Sequence, residues 1–133
     1  MLNLAIAYRS EIGSRTRNED ALRVAQIGGM GHMVLADGAG GHQGGAEAAR
    51  RVVDHIDATL AEHSQHGQAP DAACMAQAIA AAHADLQQQQ RGLDAQARMH
   101  ATVVALWLDC AARLAVWGHV GDTRLYHLRG ARV

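Results

Sequence analysis

Phenylalanine is absent from this 133-residue chain, and its aromatic residues are limited to Trp107, Trp117, Tyr8 and Tyr126. A core must therefore be built from Ala, Val, Leu, Ile and Met, which bury less apolar area per residue than aromatic rings do. Proline occurs once, at Pro70, and there is no Pro-rich or Ser-rich linker and no repeat to divide the chain. Cysteine occurs twice, at Cys74 and Cys110, far apart and outside any CxxC or Cys/His pattern. That spacing argues against a disulfide framework or a structural zinc and predicts two buried, reduced thiols. Charge of one sign is missing too: 12 basic and 13 acidic residues give a formal charge of −1 with no basic block. The chain thus has no electrostatic footprint for nucleic acid or for an anionic membrane surface. No apolar run reaches the length of a membrane span, and MLNLAIAYRSEIG lacks the basic start and long apolar core of a signal peptide, so the expected location is cytoplasmic.

What is present is a rhythm of short aliphatic runs around two helical stripes. LNLAIAY (2–8), ALRVAQI (21–27) and GHMVLAD (31–37) read as three strands. From Ala46, apolar residues recur at three and four positions through Ala49, Val52, Val53, Ile56 and Leu60, which predicts a helix ending near His63. Pro70 and Asp71 start a second helix whose buried stripe is Ala72, Met75, Ile79, Ala82 and Leu86, fraying toward Gln87–Gln90 and Gly92. TVVALWLD (102–109), RLAVWGHV (113–120) and TRLYHLR (123–129) read as three more strands. Strands grouped on both sides of a helical pair predict an α+β fold with antiparallel pairing in one domain.

Acidic residues stand at the predicted strand ends: Glu19 and Asp20 in RNED, Asp37 in LADG, and Asp122 in VGDTR. Taken singly, a carboxylate beside glycine is a turn former. Taken together, two or three carboxylates and a backbone carbonyl suit a hard divalent cation such as Mg²⁺ or Mn²⁺, and Gly38 offers the carbonyl without a Cβ in the way. GAGGHQGG before a helix also has the order of a phosphate-cradling loop. It lacks the Lys-Ser/Thr pair of a P-loop and the spacing of a dinucleotide fingerprint.

SEIGSRTRNEDA, VLADGAGGHQGGAEAA, MHATVVAL and GHVGDTRLYHLR resemble, in order and spacing, the amino-terminal motifs of the PP2C (PPM) family of metal-dependent Ser/Thr protein phosphatases in its bacterial form. The resemblance runs from Ser10 to Arg129. It implies an antiparallel β-sandwich flanked by helices, with a centre of two, or with a further site three, Mn²⁺ or Mg²⁺ ions. Residues 1–133 then read as the amino-terminal portion of a PP2C-like domain, incomplete at its carboxyl end.

Carried across, the resemblance makes Asp37 the carboxylate bridging both metals, Gly38 the carbonyl ligand and Glu19 a ligand of the second metal through or beside water. Asp20 would support Glu19, and Asp122 would help bind a third metal, with Thr123 keeping the hydroxyl of the usual Ser. Arg15 matches the arginine that holds the substrate phosphate, with Arg17 as its rival. His42 takes the position of a loop-structuring histidine, with proton transfer as the alternative. Ala39 stands where bacterial members carry Met and animal members His. His100 and Ala101 replace the Gly and Thr of a Gly-Thr-Thr segment, leaving Thr102 beneath the metal centre. The expected reaction is attack of metal-activated water on phosphoserine or phosphothreonine of a protein substrate. The rival expectations are a non-catalytic phosphatase-like binding module and an inactive fragment.

Overall fold

The computed structural model of the chain describes residues 2–40 and 44–131. Four strands, β1 (Asp20–Ile27), β2 (Met30–Gly40), β3 (Met99–Asp109) and β4 (Leu114–Val120), form one antiparallel sheet in the order β1-β2-β3-β4. Two helices, α1 (Gly44–Gln65) and α2 (Ala72–Gln89), lie between β2 and β3 in the chain, and a 3₁₀ turn, Ala95–Ala97, leads into β3.

The period-two pattern of β2 decides which face the helices cover. Val34, Ala36 and Gly38 are buried while Leu35, Asp37 and Ala39 are exposed. The buried set meets the predicted stripe of α1, where Ala48, Ala49, Val53, Ile56 and Leu60 are fully enclosed. Small residues at Ala36, Ala48 and Ala49 let helix and sheet approach closely, which is how a core without phenylalanine closes. Of the stripe expected on α2, Met75, Ala82 and Leu86 are buried, together with Ala78, while Ile79 is half-buried and Ala72 exposed, and the N-cap Asp71 accepts from the Cys74 amide.

Trp107 on β3 is the largest enclosed side chain. Its Nε1 donates to Ser64 Oγ at 3.1 Å, which satisfies the one polar atom of the ring. Facing it across the β2–β3 ladder, buried His32 bonds Asp57 through Nε2 at 2.9 Å.

The α+β class and the antiparallel pairing are as the sequence predicts, and the two expected helices are longer by two residues at each end of α1. The segments 2–8 and 123–129 differ from expectation, because neither joins the sheet. Both lie against its open face instead. Leu4 rests on Gly31, while Tyr8, Arg9, Arg124 and Leu125 frame a cleft of about 240 Å³ over Leu22, Val24, Met33, Leu35, Val104 and Leu106. Apolar alternation made these segments fit for strands, but among the described residues neither forms one, and Arg129 alone makes an isolated bridge. The PP2C-like sandwich is thus represented by one sheet and its helical layer.

Cys74 and Cys110 are both free, and both are half-buried rather than buried as expected. Among the described residues no helix is long and apolar enough to cross a membrane.

Candidate functional site

One end of the sheet collects the acidic residues. In register, Asp20 of β1 lies opposite Asp37 of β2, which lies opposite Thr102 of β3. Thr102 Oγ1 and Thr123 Oγ1 are hydrogen-bonded, so the loop after β4 is tied to the same row and Asp122 comes with it. Asp20, Asp37, Asp122 and Thr123 line a cavity of about 330 Å³ with Leu35 and Ala36.

The approach of that loop depends on Gly121. Its φ of +91° is strained for any other residue, and a Cβ there would stand 2.5 Å from Thr102 Cγ2. Gly38 is required for a different contact: a Cβ would fall 1.9 Å from the carbonyl oxygen of Gly45, where α1 starts. The Gly38 amide donates to the Glu19 carbonyl at 3.0 Å, so the loop before β1, the end of β2 and the first turn of α1 meet at one point.

Glu19 and Asp20 point to different places. The Glu19 carboxylate lies against Gly45, whose added Cβ would be 2.8 Å from Glu19 Cδ. Asp20 shares the cavity with Asp37. Partial burial, followed by the charge and hydrogen bond of Asp37, raises the Asp20 carboxyl above its ordinary range, and Glu19 adds to the effect.

Arg15 sits exposed in the turn before β1, its amide bonded to the Ile12 carbonyl at 3.3 Å, and it does not line the acidic cavity. Arg17 lines a separate cavity of about 710 Å³ beside the first turn of α1. His42 lies outside the described residues. Two contributors escape a reading of the sequence alone. Asn18 accepts the Asp20 amide at 3.0 Å and donates to Ser10 Oγ at 2.8 Å, which orders the loop that presents Asp20. Gly45 makes room for Glu19. An Asn two residues before an Asp is a local turn signature that could have flagged the first; the role of Gly45 depends on long-range packing and leaves no such mark.

A hard divalent cation fits the donors present, since the cost of ionising Asp20 beside Asp37 is relieved by a positive charge between them. Among the described residues no group of three or more His, Cys, Asp or Glu side chains is placed to hold an ion. These residues therefore supply a partial ligand set.

The sequence model of the family described as Protein phosphatase 2C matches residues 9–132. The chain belongs to the protein phosphatase 2C family. Two solved structures agree with that assignment. The serine/threonine phosphatase PstP/Ppp of Mycobacterium tuberculosis is similar with a TM-score of 0.65 and 26% identity, over 81% of this chain and 42% of that one. A Stage II Sporulation E family protein from Thermanaerovibrio acidaminovorans is similar with a TM-score of 0.59 and 25% identity, over 77% of this chain and 45% of that one. The chain thus spans less than half the length of either structure. No curated protein sequence matches it.

Proposed function

We propose that this protein phosphatase 2C family chain carries the amino-terminal part of a metal-dependent protein serine/threonine phosphatase domain, acting on phosphoserine and phosphothreonine. The observation that carries the reading is the convergence of Asp20, Asp37 and Asp122 on one cavity at the sheet end. The coverage of under half of each matched structure supports reading residues 1–133 as a portion of that domain.

In this reading Asp37, with Glu19, Asp122 and the Gly38 carbonyl, would hold Mn²⁺ or Mg²⁺, which when bound would supply an activated water and charge neutralisation for the phosphoryl oxygens. Asp20 keeps a second carboxylate beside Asp37 and accepts protons or hydrogen bonds from water in the cavity. Thr102 and Thr123 fix the height of the Asp122 loop. Arg15, on a solvent-exposed turn before β1, would hold the substrate phosphate with its planar fork. The two free thiols and the balance of 12 basic against 13 acidic residues support a cytoplasmic protein with phosphoprotein partners rather than nucleic acid or membrane.

The experiment is release of phosphate from a phosphothreonine peptide by the purified chain with Mn²⁺, compared with Asp37→Asn. Metal-dependent turnover lost in the variant is the expected result. Peptide binding without turnover would replace the enzyme by a binding module.

A further inference from the structure

A further cavity, of about 510 Å³, opens where β3 outruns its partner. Pairing with β4 stops at Val103↔Val120, so residues 99–102 run on without a β4 partner. Arg91, Arg98, His83 and His100 line the cavity, with the Gln87 and Gln90 side chains, and no carboxylate does. Four other arginines are matched: Arg9 pairs with Glu11, Arg23 with Asp54, and Arg50 and Arg51 with Glu47. Among the described residues Arg91 and Arg98 have no such ion pair.

The wall between them is held in place. Gln90 Nε2 donates to the Met99 carbonyl at 2.9 Å, and Gln90 Oε1 accepts from the Met99 amide at 2.8 Å. That pair of hydrogen bonds from side chain to backbone joins the C-cap of α2 to the start of β3. Gly92, at φ +82°, reverses the chain inside the loop so that Arg91 and Arg98 flank one opening. Two guanidinium forks, imidazole N–H groups and side-chain amides are donors suited to an oxyanion.

His100 lies two residues from Thr102 on the same strand. At about 3.4 Å per residue, His100 stands about 7 Å along β3 from Thr102 in the row holding Asp37, a span of two or three residues of extended peptide. We propose that this cavity is a subsite for a second anionic side chain, phosphate or carboxylate, on the peptide whose phosphorylated residue occupies the Asp37 row. The inference rests on the phosphatase reading above and narrows its substrates to segments with clustered negative charge.

The test is fluorescence anisotropy on the whole 133-residue chain, using peptides with non-hydrolysable phosphonate analogues of phosphothreonine. One peptide carries two analogues separated by two residues, and one carries an analogue and an alanine. The wild type should bind the first at least about tenfold more tightly, a step of one charge-assisted contact. Arg91→Ala/Arg98→Ala should bind both equally, with affinity for the singly charged peptide unchanged, and Arg91→Lys/Arg98→Lys should recover part of the preference. Thermal melting confirms that both variants fold. A preference that survives the alanine variant, or its absence in the wild type, overturns the subsite. So does displacement of the preference by millimolar inorganic phosphate alone, which would make the cavity a site for the free anion. Turnover is scored separately: Arg-dependent preference without metal-dependent hydrolysis leaves the subsite and removes the enzyme, and hydrolysis without the preference does the reverse.

Discussion

Asp20 and Asp37 face each other across the β1–β2 ladder, and Asp20 is harder to ionise there than in free solution. Like charges directly opposed in a sheet cost stability unless something lies between them. Asp37→Asn should therefore make the metal-free protein more stable, by about 0.5 kcal/mol. Manganese should raise the Tm of the wild type and leave that of the variant unchanged. Urea unfolding in a chelator and melts with added Mn²⁺ check the two halves. A variant less stable than the wild type in the chelator would mean that the pair is not under repulsion.

Gly38 predicts a steric failure rather than an electrostatic one. A methyl group at 1.9 Å from the Gly45 carbonyl must push α1 off the end of β2, with backbone as the only thing to move. Gly38→Ala should cost about 3 kcal/mol, the upper end for overpacking, and abolish the manganese-induced rise in Tm. Gly29→Ala, where an added Cβ meets nothing within 4 Å, is the control and should leave that rise intact. Denaturant titration of both variants separates loss of space from loss of glycine.

Much of this is visible in the sequence because it is local. The stripes Ala49–Leu60 and Met75–Leu86 follow helical spacing, and 21–27 and 31–37 alternate around a glycine turn, so tertiary packing had only to accept them. Segments 2–8 and 123–129 have the same apolar alternation, yet a strand is defined by a partner distant in the chain, which alternation cannot supply. The site divides in the same way. Its carboxylates are marked by their glycine-flanked motifs. That Asp20, not Glu19, shares the Asp37 cavity depends on register, since a step of one residue turns a side chain to the other face.

The Thr102–Thr123 bond carries a further expectation, because it joins β3 to the loop bearing Asp122. Thr102→Val keeps the shape and removes one partner, and should lower stability by about 1 kcal/mol. Gly121→Ala attacks the same junction through the backbone, at φ +91° and against Thr102, and should cost about 2 kcal/mol. If the junction positions Asp122, both variants also weaken manganese binding measured by calorimetry. If only stability falls, Asp122 is placed by something else.

The N-cap of α2 gives a prediction in pH. Asp71, in extended backbone at φ −140°, accepts the Cys74 amide at 2.9 Å, and that bond holds its carboxyl below the ordinary value of 3.8. A carboxylate depressed in the folded state contributes stability that is present above its unfolded pKa and is lost as pH falls through the lower folded one. Asp71→Ala should thus lower the Tm by a few degrees at neutral pH, and the gap to the wild type should narrow below a pH of about 4. Asp71→Ser, which keeps an acceptor without a charge, should recover most of the loss and hold its own margin over Asp71→Ala at every pH. Melts of the three proteins from neutral to acid pH check this. A wild-type advantage over alanine that stays constant into acid would show that the ionised cap is not what starts α2.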